Sequence, residues 1–320
     1  MHKFKSLKSI LFIVGFVILG FSSHAGSVSA ANRYWVGGAS NTNWSGNYTY
    51  SSISTNGGTY GLAITPDGSR VYGSDGSTIR TSDNTFLGSI SNVYSPVDIT
   101  ITPNGSYAYV SNQGNDSVSV IRTSDNTIVN TISVGSAPYG IAITPNGLYV
   151  YVVNSGDATV SVIRTSDNTL VSTVSVGSSP INVAITPDGA YAYVTNNVDN
   201  SVSVIRTSDN TVVNTVNVGT NPWGISITPN GSYVYVANGS DATVSVIRTS
   251  DNTVVNTITV DNSLSEIEIS PNGLYVYVIS GSNLYVIRTS DNTVVDSIPA
   301  GSSPAGLVVT PDGLHVYVSD

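Results

Sequence analysis

An internal repeat constrains this chain more than any other feature. The phrase Thr/Ser-Pro-Asp/Asn-Gly occurs seven times in 320 residues, and Arg-Thr-Ser-Asp-Asn-Thr occurs six times between its copies. Four consecutive intervals of the first phrase are 42 residues long, so the chain is an array of one unit. The first phrase starts at Thr65, Thr102, Thr144, Thr186, Thr228, Ser270 and Thr310, and the second at Arg80, Arg122, Arg164, Arg206, Arg248 and Arg288.

Each unit predicts four short β-strands. In one copy, runs rich in Val, Ile, Tyr and Thr cover residues 140–144, 148–154, 158–165 and 169–176. Pro145-Asn146-Gly147 favours a tight turn between the first two strands, and Ser166-Asp167-Asn168 favours another between the last two. Tyr and Val alternate along the second strand, so both faces of the sheet are apolar and each needs a neighbour.

Four-stranded sheets at this period are typical of a β-propeller, whose blades stack around an axis. The last copy ends after two predicted strands, at 307–310 and 314–319, and two unassigned strands, at 32–36 and 48–54, precede the first copy. We therefore predict an all-β, seven-bladed β-propeller of four-stranded antiparallel blades, with the ring closed by the N-terminal strands. The predicted division is a signal peptide at 1–30, closing strands at 31–58 and repeats at 59–320. A truncated reading frame is the alternative.

The strand phrases resemble a known repeat. Tyr-Val-Thr-Asn stands at 193–196, with variants at 109–112, 151–154, 235–238 and 317–320, and Gly-Ile-Ala-Ile-Thr-Pro-Asn-Gly stands at 140–147. Over about residues 59–320 these phrases resemble the YVTN-family β-propeller repeat of microbial surface-layer and other exported proteins. The resemblance implies a seven-bladed propeller on or outside the cell envelope. It implies no single activity, since propellers serve many functions.

The N-terminus predicts export. The three lysines, Lys3, Lys5 and Lys8, precede an apolar run at 10–21 and the small residues at 28–30, which is the pattern of a secretory signal. The run is shorter than the ~20 residues of a spanning helix, although an uncleaved anchor stays open as an alternative. We expect a secreted or cell-surface protein whose mature chain has no transmembrane segment.

Composition excludes several kinds of chemistry. The chain has no cysteine, and only His315 would remain after removal of the signal, so thiolate and multi-histidine metal sites are excluded. Neither a Gly-x-Ser-x-Gly elbow nor a glycine-rich phosphate loop is present. A net charge of −9, with every lysine in the head, disfavours nucleic acid as a partner. We therefore predict a protein that is not an enzyme; a lyase or lactonase, the alternative, would need His, Glu and Arg at the axial mouth.

Charged residues repeat on both rims of the predicted ring. Each repeated arginine lies three residues before an aspartate of the same turn, which predicts a repeated ion pair rather than a ligand-binding ring. On the other rim, aspartates recur between strands two and three, and carboxylates of this kind are ligands for Ca²⁺. No Asp-x-Asp-x-Asp-Gly loop is present and aspartate is also an ordinary turn residue, so no cofactor is required and Ca²⁺ stays open. The candidate metal ligands are Asp75, Asp116, Asp157, Asp199 and Asp241.

Departures from the repeat predict where a ligand site would lie. The first position of the strand expected to be innermost is glycine in four copies but Asp98, Asn182 or Glu266 in the others. Glu268 lies two residues after Glu266, so its side chain faces the same side of the strand. The preceding position supplies aromatic side chains in three copies, so one mouth should combine carboxylates with aromatic walls, as a seat for a cation or a sugar. Random drift of the repeat is the alternative. The candidate residues are Tyr60, Asp98, Tyr139, Asn182, Trp223, Glu266 and Glu268.

Two functions follow from these observations. The first is a non-catalytic exported or cell-surface propeller that acts as a structural or interaction protein, as in a surface layer or an adhesin. Its expected partners are other envelope or surface proteins, with glycans left open. The alternative is an exported propeller that binds a small ligand or cation at the axial mouth.

Overall fold

The two repeated phrases form the two hairpin turns of each unit. In one copy, Thr144 Oγ1 donates to Asn146 Oδ1 at 2.7 Å and accepts the Tyr149 N–H at 3.0 Å. Gly147 completes this turn at φ +72°, in the left-handed region that favours glycine. The second turn uses Asn168 at φ 56°, a conformation that asparagine tolerates better than most residues. Local turn chemistry thus fixes where each pair of strands is joined.

A computed structural model of the chain describes residues 59–261 and 263–320, residue 53, and the backbones of two N-terminal strands. Six four-stranded antiparallel sheets follow one another in chain order, and a two-stranded sheet follows them. We number these sheets blades 1 to 7. The two N-terminal strands, β1 (Leu11–Ile13) and β2 (Tyr34–Val36), pair antiparallel with each other.

The strands of the first three blades are short and pair in sequence order. A 3₁₀ turn, Gln113–Asn115, lies between the second and third strands of blade 2. Blade 1 contains β3 (Leu62–Ile64), β4 (Arg70–Gly73), β5 (Ser77–Arg80) and β6 (Thr85–Ser89). Blade 2 contains β7 (Pro96–Ile101), β8 (Tyr107–Asn112), β9 (Ser117–Arg122) and β10 (Thr127–Ser133). Blade 3 contains β11 (Pro138–Ile143), β12 (Tyr149–Asn154), β13 (Thr159–Arg164) and β14 (Thr169–Ser175).

The remaining blades repeat this arrangement. Blade 4 contains β15 (Pro180–Ile185), β16 (Tyr191–Asn196), β17 (Ser201–Arg206) and β18 (Thr211–Asn217). Blade 5 contains β19 (Pro222–Ile227), β20 (Tyr233–Asn238), β21 (Thr243–Arg248) and β22 (Thr253–Thr259). Blade 6 contains β23 (Leu264–Ile269), β24 (Tyr275–Ser280), β25 (Asn283–Arg288) and β26 (Thr293–Pro299). Blade 7 contains β27 (Leu307–Val309) and β28 (Val316–Val318).

The core lies between the blades, and the first strand of each blade lies nearest the axis. These inner strands are neighbours in the order β3, β7, β11, β15, β19, β23 and β27, and β27 lies next to β3. Seven apolar clusters fill the spaces between consecutive blades; in one, Tyr151 of blade 3 packs against Val183 and Val194 of blade 4. The inner strands therefore form a closed ring, in agreement with the predicted β-propeller.

The structure corrects the predicted number of complete blades. The described residues form six four-stranded blades rather than seven, and blade 7 has only β27 and β28. The physical reason is visible in the repeat, because the phrase that turns strand three into strand four occurs six times and blade 7 has no copy of its own. The predicted closing strand at 32–36 corresponds to β2, which lies beside β28. The one predicted at 48–54 lies outside the described residues except for Ile53.

The predicted signal falls almost wholly outside the described residues. Only β1 lies in its apolar run, and its cleavage stays a prediction. Among the residues that the structure describes, no helix has the length and apolar character needed to cross a membrane.

Candidate axial binding site

The departures from glycine on the inner strands meet at one cavity along the axis. Asp98, Asn182, Glu266 and Glu268 all line a cavity of about 290 Å³. Each replacement stands beside a glycine of the preceding blade: a Cβ on Gly61 would lie 2.7 Å from Asp98 Cα, and one on Gly140 would lie 2.7 Å from Asn182 Cα. From blade 1 to blade 7 glycine therefore alternates with a polar residue, because two adjacent inner strands have room for one side chain at this level, and two glycines meet where blade 7 adjoins blade 1.

Aromatic side chains form the mouth of this cavity. Tyr60, Tyr139 and Trp223 line a second space of about 270 Å³ that shares Asp98 and Glu266 with the first. The rings of Tyr139 and Trp223 meet edge to face, with centroids 5.7 Å apart. Tyr60 is exposed at the rim. The structure thus brings all seven candidate axial residues together, although their role in binding a ligand stays a prediction.

Hydrogen bonds hold two of the polar side chains in place. Asp98 Oδ1 accepts the Ile99 N–H at 2.8 Å, and Oδ2 accepts the Ile141 N–H of the next blade at 3.0 Å. The Asn182 amide donates to both carboxylate oxygens of Glu266 across the channel, each at 3.4 Å. Asp98 therefore links two blades, and Asn182 orients Glu266.

The site is electrostatically unfavourable for its own carboxylates. Burial raises the pKa of Asp98 to about 6, although the amides of Ile99 and Ile141 oppose the shift. Burial, followed by the charge of Asp98, raises the pKa of Glu268 to about 7. The pKa of Glu266 is raised well above its usual value by burial and then by the charges of Asp98 and Glu268. Asp98 and Glu268 therefore exchange protons near neutral pH, and Glu266 holds its proton to a higher pH than an ordinary glutamate.

The aspartates proposed as metal ligands do not converge. Each accepts a backbone N–H near its own blade: Asp157 accepts from Ser136 at 2.6 Å, and Asp241 from Thr220 at 2.6 Å. Within the described ranges, no group of three or more His, Cys, Asp or Glu side chains is placed to hold a metal ion. The equivalent bonds join Asp116 to Ala137, Asp199 to Ser178 and Asp75 to Ser77. These aspartates brace loops, and Ca²⁺ binding at them stays a prediction.

The predicted ion pairs on the opposite rim are confirmed. Six arginines each contact the aspartate three residues later at 2.5 to 2.7 Å, with both side chains more than 40% exposed. The hydrogen bond from Arg164 is the first cause that lowers the pKa of Asp167 to about 2. Because each arginine is paired within its own turn, these groups do not form a free cationic ring.

Sequence reasoning missed a set of buried asparagines. The asparagine that ends the second strand is fully buried in four blades, and in blade 4 the Asn196 amide donates to Ser201 Oγ at 3.0 Å and to Ser203 Oγ at 2.9 Å. The alternating Ser-x-Ser or Thr-x-Ser pattern that follows each of these asparagines was the available signal. The set consists of Asn112, Asn154, Asn196 and Asn238.

The comparisons with known proteins agree with this architecture. A family model described as "Lactonase, 7-bladed beta-propeller" matches residues 74–177 and 168–255, which together span more than half of the chain. The chain belongs to this lactonase family of β-propellers. A solved chain titled Kuenenia stuttgartiensis hydrazine synthase is similar to this lactonase-family propeller, with a TM-score of 0.74 over 80% of this chain and 90% of that one. At 22% identity that similarity concerns the fold alone. A search of curated proteins finds no match.

Proposed function

We propose that this propeller is a binding protein that holds a small polar ligand at the mouth of its axial channel. The observation that carries the proposal is the convergence of Asp98, Asn182 and Glu266, the three inner-strand positions that depart from glycine, on one cavity with aromatic walls. Random drift would have no reason to place all three beside a glycine that makes room for them.

The size and lining of the cavity support a small ligand. Its two parts, about 290 and 270 Å³, lie near the lower end of the ~300–1,000 Å³ usual for small-molecule sites. Apolar rings with a few oriented polar groups are the usual lining of such sites. The side chains on the two rims offer a ligand fewer free polar groups, because the arginines are already paired and the loop aspartates already accept backbone N–H groups.

Thermal unfolding with a panel of small ligands tests the proposal. The panel contains Ca²⁺, monosaccharides, lactones and organic amines, and at least one should raise the melting temperature as expected for a ligand that binds the native state only. The Asp98→Asn, Glu266→Gln double variant should lose that rise. Asp209→Asn, which removes one carboxylate on the opposite rim, should keep it. If no ligand of the panel stabilises the parent protein, the proposal is wrong.

Lactone hydrolysis is the second candidate, and the family match favours it. In that reaction water adds to the ester carbonyl, the ring C–O bond breaks, and the ring oxygen takes up a proton to give a hydroxy acid. A carboxyl group whose pKa lies near the working pH suits the required proton transfers, and Glu268 is the best candidate. Proton release from γ-butyrolactone and δ-valerolactone measures the activity. Protein-dependent release that disappears in Glu268→Gln would favour the enzyme over the binding protein.

The location of the protein is part of the proposal. The basic head, apolar run and small residues at 28–30 support export, and the YVTN-like phrases support a place at the cell surface, with envelope proteins and glycans as partners. N-terminal sequencing and cell fractionation test this. A chain that keeps Met1 in the cytoplasm would contradict it.

Closure of the ring by the N-terminal segment is the structural part of the proposal. The position of β2 beside β28 supports its role as a further strand of blade 7, which would complete the seven-bladed ring. Deletion of residues 32–54 should lower the melting temperature sharply. An unchanged melting curve would contradict closure by this segment.

A further inference from the structure

Resting on the proposed axial site, we infer that its ligand is an organic ammonium ion rather than a metal ion or a neutral sugar. The carboxyl groups of Asp98, Glu266 and Glu268 line the cavity. No lysine, arginine or histidine is among the described residues that line it. A positive charge that would offset these carboxylates must therefore come from the ligand.

One carboxyl group in the cavity accepts no hydrogen bond from the described residues. Glu268 lies inside the channel, and no described residue donates a hydrogen bond to its carboxylate. Burial is the first cause of its raised pKa, so the group is poorly solvated although it borders the channel. Glu266 receives only the Asn182 amide, at 3.4 Å, and its neighbouring backbone N–H of Ile267. Both glutamates therefore retain acceptor capacity directed toward the axis.

The donor set fits an ammonium group better than a metal ion. Ca²⁺ takes six to eight oxygen ligands at about 2.3–2.6 Å. The described residues place no three acidic side chains close enough to share one ion. An ammonium group needs fewer, longer contacts, and its alkyl substituents can lie against aromatic faces, which attract cations.

The mouth supplies those aromatic rings. Tyr139 and Trp223 stand edge to face at 5.7 Å, with Tyr60 on the rim of the same cavity. The charges of Glu266 and Asp98 both act on the Tyr139 phenol, so the ring and the carboxylates share one electrostatic environment. A neutral sugar would use the rings but would leave the carboxylates uncompensated.

Binding of a cation at this site is coupled to the release of protons from the carboxyl groups. The titratable side chains facing the cavity are Tyr60, Asp98, Tyr139, Glu266 and Glu268. A bound cation favours the ionised carboxylates, so binding releases protons and strengthens as pH rises through the pKa values of about 6 and about 7 of Asp98 and Glu268. The Tyr139 phenol, with its pKa raised to about 12, stays neutral over this range.

Titration calorimetry with matched probes tests the inference. The probes are choline, butylammonium and methylammonium, with 3,3-dimethylbutan-1-ol as the neutral counterpart of choline, at about pH 6 and about pH 8 in two buffers of different ionisation enthalpy. At least one cation should bind about tenfold more tightly at the higher pH, with proton release, while the neutral alcohol should not bind. Glu266→Gln and Glu268→Gln should each weaken binding, and Asp209→Asn should not.

The outcomes separate this inference from the proposed function. Equal binding of choline and its neutral counterpart, affinity that does not change with pH, or failure of all three cations at millimolar concentration would each overturn the ammonium ligand. If a sugar or lactone still stabilised the protein in the thermal panel, the axial site would stand. If nothing in that panel bound, both would fall.

Discussion

The Tyr317 hydroxyl donates a hydrogen bond to Asn84 Oδ1 at 3.0 Å, although 233 residues separate the two. Tyr317 lies in β28 of blade 7, and Asn84 lies in the turn between the third and fourth strands of blade 1. The same bond joins five pairs of consecutive blades. These pairs are Tyr72–Asn126, Tyr109–Asn168, Tyr151–Asn210, Tyr193–Asn252 and Tyr235–Asn292. The contact that closes the inner ring is therefore made in the same way as the contacts within it.

Removal of this hydroxyl should destabilise the protein as much as removal of an internal one. Tyr317→Phe and Tyr151→Phe each leave a half-buried asparagine oxygen without its donor, so each should lower the free energy of unfolding by about 0.5–1.5 kcal/mol. Urea denaturation measures both values. A loss for Tyr151→Phe without one for Tyr317→Phe would mean that blades 7 and 1 are not held together in solution.

Ile53 tests the contribution of the N-terminal segment. Its side chain is 6% exposed and packs with Leu62, Val71 and Ile79 of blade 1 and with Tyr317 of blade 7. Ile53→Ala should lower the free energy of unfolding by about 2–5 kcal/mol, because it leaves a cavity where the two ends of the ring meet. Val198→Ala, at a side chain that is 63% exposed, is the control and should change little.

The melting temperature should pass through a maximum at mildly acidic pH. The folded protein holds raised pKa values at Asp98, Glu266 and Glu268. Between about pH 4 and pH 7 the unfolded state therefore binds fewer protons than the folded state, and stability falls as pH rises. Asp167, with its pKa lowered to about 2, acts oppositely, because its contribution is present above pH 3.8 and lost in acid. Burial lowers the pKa of His315, so the unfolded state binds more protons at this group than the folded state does. Its contribution to stability therefore rises with pH, opposite to that of the axial carboxyl groups.

Scanning calorimetry across this range distinguishes the two sets of groups. The Glu266→Gln, Glu268→Gln double variant should flatten the decline on the neutral side. Asp167→Asn should leave that decline intact and weaken the loss of stability in acid. A decline of unchanged slope in the double variant would show that the axial glutamates do not titrate as described.

Turn chemistry and periodicity made most of the fold predictable. The strands of blade 3 fall within two residues of the predicted limits, since Pro145-Asn146-Gly147 and Asn168 act through their own backbone preferences. The alternation of glycine and polar residues around the axis was visible in sequence, but its cause was not. It depends on how closely neighbouring blades approach, since a Cβ on Gly140 would lie 2.7 Å from Asn182 Cα, and no local pattern encodes this.

The features that could not be predicted from the sequence depend on contacts between residues that are far apart in the chain. The candidate calcium ligands were grouped because they recur at one position of the repeat. In a ring, however, each copy of the repeat lies in a different blade, so the aspartates are far apart. Asp157 and Asp241 lie in different blades and each braces its own loop. Tyr151 and Asn210 are 59 residues apart, so their hydrogen bond follows only from the assembled ring.

A double-mutant cycle should show why glycine stands opposite the buried asparagine of blade 4. A Cβ on Gly177 would lie 2.6 Å from Asn196 Cγ and 2.8 Å from Asn196 Cβ, so Gly177→Ala forces the asparagine out of place and should cost about 1–3 kcal/mol. Asn196→Ala should cost a similar amount, because Ser201 and Ser203 lose their donor. In the double variant the close contacts with the amide group of Asn196 are absent and only the one with Cβ remains, so its total cost should fall short of the sum by about 0.5–3 kcal/mol. Gly177→Ala combined with Asn238→Ala, in the next blade, should be additive; equal coupling in both cycles would show that the effect is not the contact between Gly177 and Asn196.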